Sequence, residues 1–232
     1  MIWFVTGTDT GVGKTVASAV LAYRSADEGR AVRYVKPVQT GVAAGAPGDA
    51  DFVRAAAGVD AEELLRFAEP LTPAVAAERA GAPIDLQALA AGVRNRDTDL
   101  LLVEGAGGLL APLAARETMA DLAEALGAEL IVATRPGLGT LNHTALTLEV
   151  ARGRGLTVAG LVLSGWPSKP GVAERTNLDR LSEMAPIIAV VRRIRGVSVD
   201  QNNAGTLRRA LERGTALITA DGSGEAPART DR

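Results

Sequence analysis

The residue types that could do chemistry in this chain fall into a few short runs, and the densest is Thr8-Asp-Thr-Gly-Val-Gly-Lys-Thr15. Its last three residues, Gly13-Lys14-Thr15, close a phosphate-binding loop of Walker A type. Glycines at 7, 11 and 13 would let backbone N–H groups converge on phosphate oxygens, and a helix after them would turn its positive end to the same anion. In such a loop Lys14 would reach the β- and γ-phosphates and Thr15 would ligate magnesium. The strict pattern opens on glycine; here the register set by Gly13 and Lys14 puts Thr8 at that place, with Gly7 one position early.

Three further runs carry charge or bare backbone. Tyr34-Val-Lys-Pro-Val-Gln-Thr-Gly41 places Lys36 and Thr40 four residues apart, read as a turn at a strand end. There Lys36 could neutralise charge on a transferring phosphoryl group or an attacking oxygen. Lysine is scarce, with only Lys14, Lys36 and Lys169 among the 25 basic residues, and two of the three lie in these runs. Asp49 and Asp51 precede a helix-like segment; Asp49 reads as an N-cap, and Asp51 as a carboxylate for magnesium or a cationic substrate. Glu104-Gly-Ala-Gly-Gly108 ends an apolar run with a carboxylate and then exposes bare backbone, the position of a magnesium-side acid in a phosphate-loop fold. Gly137-Leu-Gly-Thr-Leu-Asn-His143 opens a helix and would suit a carboxylate at its free N–H groups, although plain capping explains it as well.

These runs need a frame that brings them together. Continuous aliphatic segments recur at 2–6, 31–35, 100–103, 130–133, 158–163 and 187–191, the pattern of strands buried on both faces. Between them lie segments of helical spacing at 14–28, 85–96, 118–126, 142–153, 171–184 and 203–213. The alternation predicts a single α/β domain over 1–220, a mostly parallel sheet with helices on both faces, with ligands bound beyond the strand ends. Residues 221–232 mix Gly, Pro, Ser and charge without periodicity and read as a disordered tail.

Composition removes other chemistries. In 232 residues there is no cysteine and one histidine, so thiolate zinc, iron–sulfur clusters, a thiol nucleophile and a His-ligated metal cluster are all excluded. Any metal must be hard and oxygen-bound, which points to magnesium. A net charge of −2 without a basic stripe argues against nucleic-acid binding. No apolar run approaches the ~20 residues of a membrane helix and the opening residues carry no leader pattern, so the expectation is a cytoplasmic protein without membrane contact.

Five motifs in one order, Phe4-Val-Thr-Gly-Thr-Asp-Thr-Gly-Val-Gly-Lys-Thr15, Lys36-Pro-Val-Gln-Thr-Gly41, Glu69-Pro-Leu-Thr-Pro73, Val103-Glu-Gly-Ala-Gly-Gly108 and Gly139-Thr-Leu-Asn-His143, resemble the dethiobiotin synthetase family over about residues 2–190. The resemblance implies a homodimeric phosphate-loop fold that closes 7,8-diaminopelargonic acid with CO₂ and ATP into the ureido ring of dethiobiotin, releasing ADP and phosphate. It implies a carbamate, then a carbamic-phosphoric mixed anhydride, then displacement of phosphate by the second amine. By the same resemblance Thr10, Gly11, Val12, Gly13 and Lys14 form the phosphate cradle, with Lys14 and Thr10 acting alongside Lys36 in catalysis. Thr15, Asp51 and Glu104 match magnesium positions. Val16, Gly105, Ala106, Gly107, Ser164 and Gly165 complete the nucleotide site. Thr40 contacts the diamine or its carbamate, and Gly139, Thr140, Leu141 and Asn142 hold the distant carboxylate from the neighbouring subunit, so the active site spans the dimer.

The chain also departs from the family pattern. Gly11 stands where many members carry an acidic residue, and Ser164-Gly165 replaces the Asn-Asp that reads adenine. Val191-Arg-Arg-Ile-Arg-Gly196 stands where a Gly-x-Pro segment is usual. The alternative is a partition-type phosphate-loop switch ATPase; those proteins carry a second lysine early in the loop, where this chain has Asp9.

Overall fold

A computed structural model describes residues 1–94, 97–197, 199 and 203–218. The predicted tail, 221–232, lies outside the described residues. Among the described residues eight strands and eight helices follow one another, alternating except where the third and fourth helices are consecutive. They are β1 (Ile2–Gly7), α1 (Lys14–Asp27), β2 (Val32–Thr40), α2 (Asp49–Ala57), β3 (Asp60–Phe67), α3 (Pro73–Arg79), α4 (Leu86–Arg94) and β4 (Leu100–Glu104). The second half adds α5 (Met119–Leu126), β5 (Glu129–Thr134), α6 (Thr140–Gly153), β6 (Val158–Trp166), α7 (Val172–Met184), β7 (Ile187–Arg192), α8 (Ala204–Glu212) and β8 (Leu217–Ile218). The strands form one sheet in the order β3-β2-β4-β1-β5-β6-β7-β8. Every pairing is parallel except β7 with β8.

The period of two along each strand divides the core into two faces. Leu100 and Leu102 of β4 join Val5, Tyr34 and Ile131 against α1, α2 and α8. Leu101 and Val103 face the other way, with Phe4, Val35 and Leu130 against α3, α4 and α5. Beyond β5 that second face continues as Leu161, Leu163 and Trp166 under Leu148 of α6 and Leu178 and Leu181 of α7. Each such fully buried Leu or Phe contributes about 1.5–3 kcal/mol, and the six predicted strands are those where this burial is continuous. Among the described residues no helix is long and apolar enough to cross a membrane.

Three departures from expectation bear on the site. β3, with its mixed polar and apolar DAEELLRF, and the two-residue β8 were not foreseen; both are outermost strands of the sheet. β2 does not end at Val35 but runs to Thr40, so Lys36 and Thr40 are strand residues rather than members of a turn. Pro37 is tolerated there because β2 pairs with β4 only over Val32–Val35, and its register with β3 steps from Lys36 to Val38.

Candidate active site

The site is assembled where β1, β2 and β4 end and α1 and α2 begin. Thr8 to Gly13 turns the chain from β1 into α1, and Gly13 needs its φ of 95° to do so. A Cβ on Gly13 would lie 2.3 Å from Ser164 Oγ, and one on Gly7 would lie 2.7 Å from Val12 Cγ2, so neither position has room for a side chain. The loop therefore closes tightly enough for Lys14 Nζ to donate to the Asp9 carbonyl at 3.1 Å. Burial pulls the Lys14 ammonium down to about 8, against the opposing attraction of Glu104. An anion in the loop would raise it again.

Glu104 is the hub. The register pairs Tyr34 with Leu102 and Val35 with Val103, so two steps along each strand Lys36 and Glu104 stand side by side on the face covered by α1. The Glu104 carboxylate, 1% exposed, accepts hydrogen bonds at both oxygens. Thr15 Oγ1 and Lys36 Nζ donate to Oε1, each at 2.9 Å. Ser18 Oγ, at 2.8 Å, and Tyr34 OH, at 2.9 Å, donate to Oε2. Lys36 Nζ also pairs with Asp49 Oδ2 at 2.6 Å and donates to the Gly105 carbonyl at 3.3 Å. Burial on its own would discharge Lys36, but the carboxylates of Glu104 and Asp49 outweigh it and hold the ammonium above its ordinary value. Asp49 is likewise kept ionised against burial by the Lys36 ammonium. Burial and the neighbouring Glu104 charge push the Tyr34 phenol well up, so it stays a donor.

A cavity of about 570 Å³ opens over this cluster, lined by Thr10, Gly11, Gly13, Lys14, Thr15, Val16, Lys36, Thr40, Asp49, Glu104, Ala106 and Gly107 among others. A second, of about 510 Å³, lies on the other side of the loop between Gly11–Gly13 and Ser164, Gly165, Arg135 and Arg193. Ser164 is buried against Gly13, and Gly165 takes a φ of 87° inside β6.

Asp51 is not where the sequence reading put it. Its carboxylate accepts the Gly48 N–H at 3.0 Å and pairs with Arg54 at 2.7 Å, and it does not line the cavity. Asp49, read as a cap, is the acid that faces Lys36. The physical reason is helix phase: α2 starts at Asp49, and its third residue folds back over the helix start while its first faces the sheet. Gly139–Asn142 is the other run left apart, because neither cavity is lined by it. Gly139, at φ 90°, caps α6, and the Thr140 hydroxyl is committed inward to Thr134 at 2.7 Å. Asn142 is exposed and Leu141 half-buried.

Ser18, Tyr34 and Gln39 escaped the sequence reading. Ser18 follows Lys14 by one helical turn and Tyr34 precedes Lys36 by two strand residues, so both spacings pointed at the cluster. Gln39, buried in β2, accepts the Asp49 N–H at 3.2 Å and so seats the start of α2. Arg66 of β3 donates to the carbonyls of Ala43 and Ala46, tying down the small-residue stretch between β2 and α2.

A phosphate loop at the first βα turn, a buried lysine near the end of β2 and hard oxygen donors beneath it define a phosphate-loop nucleotide-binding domain. Residues 3–200 match the family model described as an AAA domain. Curated ATP-dependent dethiobiotin synthetases are much more alike in sequence. That of Parafrankia sp. (strain EAN1pec) is 53% identical over 79% of this chain and 79% of its own length, and that of Saccharopolyspora erythraea 48% over 89% and 92%. The chain belongs to the ATP-dependent dethiobiotin synthetase family and is a ligase. Solved structures share the fold alone. A plasmid partition protein of Borrelia burgdorferi B31 bound to AMPPNP superposes with a TM-score of 0.57 at 10% identity, covering 90% of this chain and 89% of that one. The septum site-determining protein MinD of Pyrococcus horikoshii gives 0.50 at 19%, covering 91% and 95%.

Proposed function

We propose that the chain joins CO₂ to 7,8-diaminopelargonic acid at the expense of ATP and closes the ureido ring of dethiobiotin in biotin biosynthesis. The observation that carries this reading is Lys36, a charged ammonium buried between Glu104 and Asp49 on the floor of a cavity whose wall is the phosphate loop. A switch ATPase needs no second buried cation at the mouth of β2, and the partition-type proteins resemble this chain in fold only.

The donors beneath the loop fit magnesium. Thr15, Asp49 and Glu104 offer a hydroxyl and two carboxylates, and among the described residues no group of three or more His, Cys, Asp or Glu side chains could cage a metal unaided. Such a donor set suits an ion that shares its ligands with nucleotide phosphates and water. When bound, the ion supplies neutralisation of phosphate charge. The chain's own residues do the rest. The loop N–H groups, Thr10 and Lys14 hold the phosphates, and Lys36 stabilises the carbamate oxygen as it attacks the γ-phosphorus and ADP leaves. The second amine then attacks the carbonyl carbon of the mixed anhydride, phosphate departs, and a proton is lost from the nitrogen. Thr40, at the cavity edge, orients the diamine or its carbamate.

The far carboxylate of the diamine is assigned to Gly139–Asn142 of a neighbouring subunit in a homodimer, a reading supported by the absence of that turn from either cavity of its own chain. Holding both ends of a flexible chain makes the cyclisation close to unimolecular. The base is assigned to the second cavity, where Ser164 and Gly165 offer no side-chain amide and base selectivity is expected to be loose. The setting is the cytoplasm. The test is phosphate release with ATP, magnesium and bicarbonate, with and without the diamine, and mass spectrometry for dethiobiotin. Diamine-dependent release with matching product is expected, and CTP and GTP should substitute in part. Release indifferent to the diamine, without product, would turn the assignment to the switch ATPase.

A further inference from the structure

The second cavity, on the other side of the phosphate loop, is lined by four polar side chains, Arg135, Ser164, Glu174 and Arg193, with Pro136 and Pro167 as apolar walls for a flat ring. Three of the four offer no fixed acceptor. Arg135, paired with Asp9 at 3.7 Å, and Arg193 are exposed donors, and Ser164 is buried with its hydroxyl against Gly13. Glu174 is different. It is the third residue of α7, and its Oε2 accepts the Gly171 N–H at 2.8 Å, which closes the first turn of the helix. That bond holds the half-buried carboxylate in the cavity wall, while among the described residues nothing donates to Oε1.

We infer that Glu174 reads the nucleobase: its Oε1 accepts a hydrogen bond from an exocyclic amine, so that adenine and cytosine are taken in preference to their keto counterparts, hypoxanthine and uracil. The inference rests on the reading that the base enters the second cavity. The N6 amine of adenine and the N4 amine of cytosine stand at corresponding places on the edge of the ring. Replacing either by a carbonyl sets two acceptors face to face and forfeits the bond, a mismatch that a site built on a fixed polar group rejects. Ser164 and Gly165 do not choose between adenine and cytosine, so selectivity stays loose among bases that carry the amine. Guanine, with a carbonyl at O6 and an amine at N2, falls between the two groups. A glutamate that only capped α7 would treat all bases alike.

The test uses the full chain with magnesium and measures the affinities for ADP, IDP, CDP, UDP and the baseless ribose 5-diphosphate by calorimetry. In the wild type ADP should bind about tenfold more tightly than IDP, and CDP about tenfold more tightly than UDP. Glu174→Gln keeps an oxygen for the Gly171 N–H and can turn its amide N–H₂ toward a carbonyl, so both preferences should shrink to within about twofold. Its affinity for ribose 5-diphosphate should not change. Glu174→Asp draws the carboxylate back from the cavity by one methylene and should narrow the preferences likewise; it serves if the glutamine variant folds poorly. Wild-type preferences in both variants would overturn the inference and leave the proposed function standing. So would a wild type that binds ADP and IDP alike, both more tightly than ribose 5-diphosphate. Nucleotides bound no more tightly than ribose 5-diphosphate would overturn the base assignment and the inference together.

Discussion

The cluster under the phosphate loop and the outer side of α6 are opposites. In the first, every charged atom is met inside the chain: Glu104, 1% exposed, has four donors, and Lys36, 4% exposed, has two carboxylates and a carbonyl. In the second, apolar groups are left in water. Leu138, in the turn before α6, is 98% exposed, and Leu146 is 59% exposed on a helix whose positions 142, 145, 146 and 149 all face outward. A protein that buries three charges where one would expect water, and leaves leucines wet where a helix would bury them, has placed its self-sufficient half and its dependent half in different regions. The phosphate-handling half is complete in one chain. On the proposed reading, the half assigned to the substrate's far end draws on a second copy, which would cover apolar residues that otherwise carry a solubility cost.

The sharpest way to break the first region is Lys36→Ala. Turnover should fall about a thousandfold, while nucleotide affinity stays within a few-fold, because the loop and Lys14 are untouched. The same substitution leaves Glu104 and Asp49 buried without their cation and should destabilise the protein by about 3 kcal/mol, read by chemical denaturation. Parallel losses of nucleotide affinity and turnover would mean that Lys36 only holds the site together. Breaking the second region calls for Leu146→Arg, a surface change expected to move stability by no more than about 0.5 kcal/mol. Sedimentation should show monomers, and the kcat/KM for the diamine should drop about a hundredfold as one end of the substrate goes unheld, with ADP binding unaffected. Full activity in a proven monomer would place the carboxylate site within one chain.

Much of the first region was legible because its physics is local. Gly7, Gly13, Lys14 and Thr15 lie in one short run of sequence, and the backbone of one turn brings them together. Glu104 follows four buried aliphatics, so its place at a central strand end could be read as well. What could not be read depended on phase and extent. β3 sets Glu62 beside Glu63 and Leu64 beside Leu65, doublets that carry no period of two, and only its place on the sheet edge decides the matter. β2 runs on through Pro37 because β4 has stopped pairing there, a fact about another strand. The Tyr34 hydroxyl reaches Glu104 because Leu102 stands opposite Tyr34, two residues before Glu104, a register that no single run of sequence shows.

Phase also decides the smallest and most pointed test, between two aspartates one residue apart. Asp49 faces Lys36 at 2.6 Å with a side chain 14% exposed, whereas Asp51 caps α2 and pairs with Arg54 with a side chain 39% exposed. Asp49→Asn should lower turnover by about ten- to a hundredfold, as loss of a metal ligand or its neighbour does. Asp51→Asn should leave turnover within about twofold and cost about 0.5 kcal/mol, the usual worth of an exposed pair. The pH dependence separates them further. The Gly48 N–H, with help from Arg54, holds the Asp51 carboxyl below its ordinary value. A carboxyl depressed by folding stabilises the native state above its unfolded pKa of about 3.9 and loses that contribution as pH falls toward the lower folded value. The stability gap between wild type and Asp51→Asn, measured by urea unfolding, should therefore be open at pH 7 and close below about pH 4. If instead Asp51→Asn removed activity at neutral pH and Asp49→Asn did not, the phase of α2 over the site would be the reverse of the one described.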